Sequence, residues 1–221
     1  MEKADLSLTD AIIFDMDGTL WDATPSYRRV WVECFGKKGI GFPLTEDDVK
    51  SYMGLTLAEI LDRMTGRMGV AVDREPFLED LRKVEDELLP NLGGKLFDGV
   101  LDGIKELAGR YRLFMVSNCG KMGLLNFMSY TGTASYFTDS LTNGQTGLPK
   151  EGNIARLIGC HGLRHAVYVG DTQADCDATH RAGIPFVFAA YGFGHCEDYD
   201  IKFDNFTQLA QYFMNIQKME E

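Results

Sequence analysis

The chain has 221 residues, 45% hydrophobic, 25% charged and 11% aromatic, which is a globular composition and neither a disordered nor a collagenous one. Its 33 acidic residues outweigh 22 basic ones, and the net charge of -11 argues against a nucleic-acid polymer or an anionic membrane as partner. The sequence has no run of the roughly 18 to 20 apolar residues needed to span a bilayer, residues 1–10 lack the character of a secretory leader, and five scattered cysteines form no Cys-x-x-Cys pair, so a cytoplasmic protein with reduced thiols is expected.

In chain order, Ala11-Ile12-Ile13-Phe14 is a short apolar run ending at a polar cluster, the pattern of a strand buried on both faces. From about residue 24 to 89 the rhythm becomes helical. Leu57, Ile60, Leu61 and Met64 recur at i, i+3, i+4 and i+7, and Phe77, Leu78, Leu81, Val84 and Leu88 form a second stripe. This reads as a helical insertion over 23–89, entered through a linker at 21–25 and left through Pro-Asn-Leu-Gly-Gly at 90–94. Beyond it, strands are predicted at 113–116, 166–169 and 185–190. Helical spacing connects them at Val100, Ile104 and Leu107, at Ile154, Leu157 and Ile158, and over the alanine-rich 174–182. Strands alternating with helices predict an α/β fold, a Rossmann-like doubly wound parallel sheet built from residues 1–22 and 90–221.

Ligands of an open parallel sheet bind beyond the carboxyl ends of its strands, which singles out Asp15, Ser117 and Asp171. Asp15 and Asp17 stand two residues apart at one strand exit, and paired carboxylates there are costly without a cation between them. Mg²⁺ is the simplest partner, because it takes oxygen ligands and commonly joins protein carboxylates to substrate phosphate oxygens. Asp171 can supply a further carboxylate, and Asp175, one helical turn on, can hold Asp171 or an opposing lysine in place. Gly18 lets backbone amides approach an anion closely, and Thr19 adds a hydroxyl donor.

With these residues set out, the chain resembles the haloacid-dehalogenase-like hydrolase superfamily, and within it the phosphoglycolate-phosphatase-like proteins with a helical cap. The motif Asp-x-Asp-Gly-Thr stands as Asp15 to Thr19, the Ser or Thr after the second strand as Ser117-Asn118, the helix-opening lysine as Lys150, and Gly-Asp-Thr-x-x-Asp as Gly170 to Asp175. The resemblance implies that Asp15 is the nucleophile and Asp17 the general acid and base. It implies that Asp15, Asp17 (through its carbonyl) and Asp171 hold Mg²⁺, and that Gly18, Thr19, Ser117, Asn118 and Lys150 bind the phosphoryl group. Relatives often read Lys-Pro where this chain has Pro149-Lys150-Glu151, which leaves Lys121 as a rival.

The activity implied is hydrolysis of a small phosphate monoester, a phosphorylated metabolite, through an aspartyl-phosphate. The second aspartate argues against a dehalogenase. The loop Met53-Gly54-Leu55 lacks the lysine of phosphonate-cleaving relatives, and 23–32 lacks the histidine of sugar-phosphate mutases such as the beta-phosphoglucomutase-like ones. A mutase and a non-catalytic phosphate-binding protein stay as alternatives. In this reading residues 23–89 form a cap whose loop at Gly54 faces the site. Arg28, Arg29, Arg63 and Arg67 are candidates for gripping an anion, though a charged, solvated helix face is the favoured account of each. The four histidines match no metal motif, and a monomer or homodimer is expected.

Overall fold

The computed structural model describes residues 6–41 and 43–216. The reading of residues 1–10 as no leader therefore lies partly outside the described residues. Among the described residues no helix is long and apolar enough to cross a membrane.

The chain begins with β1 (Ala11–Phe14), every residue of it buried, followed by a two-residue strand, β2 (Trp21–Asp22). Four helices come next: α1 (Thr24–Lys37), α2 (Glu46–Lys50), α3 (Leu57–Met68) and α4 (Arg74–Leu92). The stripes read from the sequence are their inner faces, with Ile60, Leu61 and Met64 buried on α3 and Phe77, Leu78, Leu81 and Val84 on α4. Threonines 45 and 56 close capping boxes at the starts of α2 and α3, an arrangement worth about 1 kcal/mol each.

The remainder alternates strand and helix: β3 (Lys95–Leu96), α5 (Val100–Ala108), β4 (Arg112–Ser117), α6 (Gly123–Thr131), β5 (Phe137–Thr142), α7 (Asn143–Thr146), α8 (Lys150–His161), β6 (Ala166–Gly170), α9 (Gln173–Arg181), β7 (Phe186–Ala189), β8 (Ile201–Phe203) and α10 (Phe206–Ile216). Six strands form one parallel sheet in the order β5-β4-β1-β6-β7-β8, the expected Rossmann-type fold. The period of two along β1 divides its side chains between two cores. Ile12 and Phe14 pack with Val100, Ile104, Phe206 and Phe213 on one side, and Ala11 and Ile13 with Ile154, Leu157 and Cys176 on the other.

Two details differ from the sequence reading. The stretches read as linkers are structured, because Trp21 pairs with Leu96 and Asp22 with Lys95 in an antiparallel ribbon that satisfies their backbone groups. Pro90 does not break the chain either: α4 continues through it to Leu92 and stops at Gly93. The edge strands β5 and β8 escaped the pattern search because they are half exposed and carry polar residues, Phe-Thr-Asp-Ser-Leu-Thr and Ile-Lys-Phe.

Candidate active site

Strand β1 lies between β4 and β6, so the carboxyl ends of the three deliver Asp15, Ser117 and Asp171 to one place, as expected of such a sheet. The Asp15 amide donates to Val169 O at 2.8 Å, tying the loop after β1 to β6. Lys150 is the first residue of α8, and its Nζ lies 3.1 Å from Asp15 Oδ1 while it also donates to Asp175. Asp175 is anchored in turn, since its Oδ2 accepts from the Thr172 amide at 3.1 Å and hydroxyl at 2.6 Å in the capping box that starts α9.

One oxygen each of Asp15, Asp171 and Asp175 lies within 4.8 Å of the others, the single grouping of this kind among the described residues. Lys150 is the cation paired with them, so the buried cluster keeps a surplus of negative charge. Burial pushes Asp15 up to about 6, against the opposing pull of Lys150, and Asp175 adds to the rise. Burial, then Asp175 and Asp15, hold Asp171 well above the usual carboxylate range. On Lys150 burial acts downward, but the two carboxylates outweigh it and leave the ammonium well above its ordinary value. Asp15 Oδ1 is sealed from solvent and, despite the nearby ammonium, accepts no hydrogen bond. An orphaned carboxylate oxygen inside a surplus of buried negative charge, on an all-oxygen donor set, fits a hard divalent cation such as Mg²⁺.

Asp17 is oriented differently. Its carboxylate points away from that cluster, with Oδ1 accepting from Trp21 Nε1 at 2.9 Å and Oδ2 from the Tyr27 hydroxyl at 3.3 Å. Burial and then the charge of Asp15 push it up to about 8, against both hydrogen bonds. Gly18 has φ +82°, and a Cβ there would run into the Asp171 carboxylate, so glycine is needed both for the turn and for the close approach. Thr19 Oγ1 donates to Asp171 Oδ1 at 3.4 Å. Gly18 and Thr19, expected against a phosphate, are thus placed against Asp171.

Above Asp15 and Asp17 is a cavity whose walls include Ser117 and Asn118 after β4, Tyr27 and Trp31 of α1, Gly54 of the loop before α3, and Glu85 of α4. Asn118 Nδ2 donates to Gly54 O at 2.8 Å, joining the helical segment to the sheet at the loop the sequence singled out. Arg28, Arg29, Arg63 and Arg67 are all exposed, and none lines this cavity. Arg28 donates to Leu44 O and Arg67 pairs with Asp48. Lys121 is exposed in an outer groove, so of the two rival lysines Lys150 is the one beside Asp15. His161 and His180 pair with Asp139 and Asp200, and no histidine joins a metal-binding cluster among the described residues.

Several contributors had no legible signal. Asp171 Oδ2 accepts from the Phe193 amide at 2.8 Å and from the Gly194 amide at 3.3 Å, and backbone donors leave no residue-type signature. Trp21 and Tyr27 sit four and ten residues after Asp17, a spacing that becomes meaningful once the ribbon and α1 turn them back. Glu85 is hidden in an acidic run, Glu85-Asp86-Glu87, that reads as a solvated helix face.

The profile described as haloacid dehalogenase-like hydrolase matches residues 12–189. A phosphoglycolate phosphatase of Rhodobacter capsulatus is 27% identical over 200 residues, covering 84% of this chain and 86% of that protein. Among solved structures, a haloacid dehalogenase-like family hydrolase from Streptococcus pneumoniae superposes with a TM-score of 0.81 at 20% identity, over 93% of this chain and 98% of that one. CbbY from Rhodobacter sphaeroides, solved in complex with phosphate, gives 0.78 at 18% identity, over 91% and 96%.

Proposed function

The chain belongs to the haloacid dehalogenase-like hydrolase family, and from that membership together with the geometry at Asp15 we propose that it is a Mg²⁺-dependent phosphatase of small phosphate monoesters, working through an aspartyl-phosphate. The observation that carries this reading is the pairing of Asp15 with Lys150 at the sheet's carboxyl edge, beside a second carboxylate, Asp17, that is held for a different task. The phosphatase activity of the Rhodobacter capsulatus relative and the phosphate complex of CbbY support the same class.

In the proposed mechanism Asp15 attacks phosphorus, the ester oxygen leaves, and the resulting acyl phosphate is hydrolysed by water, so one difficult displacement becomes two easier ones. Asp17, held near 8 by burial and by Asp15, carries a proton at neutral pH and gives it to the departing alkoxide. Once deprotonated, the same carboxylate takes a proton from the attacking water. Lys150 and Ser117 face the transferred group with an ammonium and a hydroxyl, and Asn118 is placed beside them. Asp175 acts at one remove, fixing Lys150. Mg²⁺, held by Asp15, Asp171 and the Asp17 carbonyl, would neutralise the phosphate charge that otherwise repels the carboxylates. Residues 23–89 act as a cap that excludes water, held down by the Asn118 to Gly54 bond.

The test is phosphate release from a panel of phosphomonoesters with Mg²⁺, with excess chelator, and with Asp15→Asn as the blank. Turnover that needs the metal and falls by about 10⁴-fold or more in the variant is expected. Turnover retained by a folded Asp15→Asn protein would remove Asp15 as nucleophile and the reading with it.

A further inference from the structure

The cavity over Asp15 is completed by residues that the phosphoryl chemistry does not use. Its outer wall is Glu85, 7% exposed, standing with the rings of Trp31, Tyr27 and Tyr52. Trp31 lies 5.5 Å from Tyr27 and 6.3 Å from Tyr52 between ring centroids, so the three make one aromatic surface. Glu85 Oε1 accepts from Trp31 Nε1 at 2.9 Å. Its Oε2 is directed toward Gly120, on the wall of the same cavity, and accepts no hydrogen bond among the described residues.

Three of the side-chain donors around this space are already engaged, and the Ser117 hydroxyl is turned to the phosphoryl group in the proposed mechanism. Trp31 Nε1 serves Glu85, the Tyr27 hydroxyl serves Asp17, and Asn118 Nδ2 serves Gly54. Asn118 Oδ1 is a second acceptor, sealed and without a partner. Among the described residues no lysine, arginine or histidine lines this cavity. Beyond the Ser117 hydroxyl, a group entering it meets acceptors and ring faces. A carboxylate there would stand against the Glu85 carboxyl with no cation in the lining among the described residues. An ammonium would find an acidic oxygen and an aromatic surface, the two environments that bind cations best. The cavity is small, so the group it admits is short.

From these observations we infer that the alcohol released from the phosphate ends in an ammonium, making the substrate a short aminoalkyl phosphate, and that Glu85 is the residue that selects it. The inference rests on the phosphomonoesterase reading above. Besides Lys150, which is paired with Asp15 and Asp175, the cations on the adjoining surface are Arg82 and Lys121, both exposed in an outer groove that shares Glu85 and Asn118 with the cavity.

The experiment compares kcat/KM of the full chain with Mg²⁺ on three esters of matched size: 2-aminoethyl, 2-hydroxyethyl and carboxymethyl phosphate. A fourth, p-nitrophenyl phosphate, has a leaving group that needs no recognition, and its hydrolysis lost in Asp15→Asn reports on the hydrolase reading separately. The amino ester is expected to lead both others by at least tenfold, and Glu85→Gln to erase that lead mainly through KM. With p-nitrophenyl phosphate hydrolysed, an equal or better rate on the hydroxyl or carboxymethyl ester overturns the inference. A carboxymethyl preference lost in Arg82→Ala does so too, and assigns selectivity to the outer groove. If Glu85→Gln does not fold, the ranking by the unaltered chain decides alone. No hydrolysis of any of the four overturns the phosphomonoesterase reading and the inference together.

Discussion

Glu85→Gln is also a stability experiment that needs no substrate. Burial, opposed by the Trp31 hydrogen bond, holds the Glu85 carboxyl up at about 7 from an ordinary 4.5. Because the folded chain binds this proton more tightly than the unfolded chain, the stabilising contribution is complete below about 4.5, is lost as pH rises toward 7, and stays lost above it. At about 1.36 kcal/mol per pH unit the gap amounts to about 3 kcal/mol. Gln keeps an oxygen for the indole of Trp31 and cannot ionise, so the variant is expected to match the parent near pH 4.5 and exceed it by up to about 3 kcal/mol at pH 8. Urea unfolding of both proteins at a series of pH values, followed by tryptophan fluorescence without added metal, reads the difference directly. Every other titrating group is common to the pair and cancels. A difference that does not change with pH, or that grows toward acid, would refute the placement of Glu85 as a buried, desolvated carboxyl.

Two further substitutions address the phosphoryl site. Lys150→Met leaves Asp15 and Asp175 as buried charges without their partner, so the metal-free protein is expected to lose about 3–5 kcal/mol, read as a lowered urea midpoint at unchanged slope. An unshifted midpoint would show that the buried pairs are not what holds α8 to the sheet edge. Asp17→Asn is expected to slow alkyl phosphates by about 10²–10⁴-fold while costing much less in the release of p-nitrophenolate, which leaves without a proton. Equal losses on both esters in single-turnover kinetics would remove the acid role.

How far the sequence reaches depends on where each residue's signal lies. Strands β1, β4, β6 and β7 are legible because burial on both faces forces a short apolar run, and the polar residues at the ends of β1, β4 and β6 mark the sheet edge that carries the candidate site. Asp15, Ser117 and Asp171 were placed by that logic alone, and Lys150, through the family resemblance, completes the constellation at 3.1 Å. The pattern fails where stability comes from pairing across long separations. The ribbon of Trp21–Asp22 with Lys95–Leu96 is two residues deep on each side, too short for any periodicity, yet it turns Trp21 so that its indole reaches Asp17.

The same reasoning separates what the sheet decides from what the helices decide. Asp15, Asp171, Asp175 and Lys150 stand on adjoining elements of a single sheet edge, and the charges they bury allow little variation before one is left unpaired. The wall facing them comes from α1, the loop before α3, and α4, joined to the edge by the side-chain bonds from Asn118 to Gly54 and from Tyr27 to Asp17. A residue on that wall can change its charge without disturbing the carboxylate cluster. On the proposed reading the leaving group is selected away from the reacting carboxylates, and the feature that distinguishes that wall is an acid, Glu85, where a phosphorylated acid would call for a base.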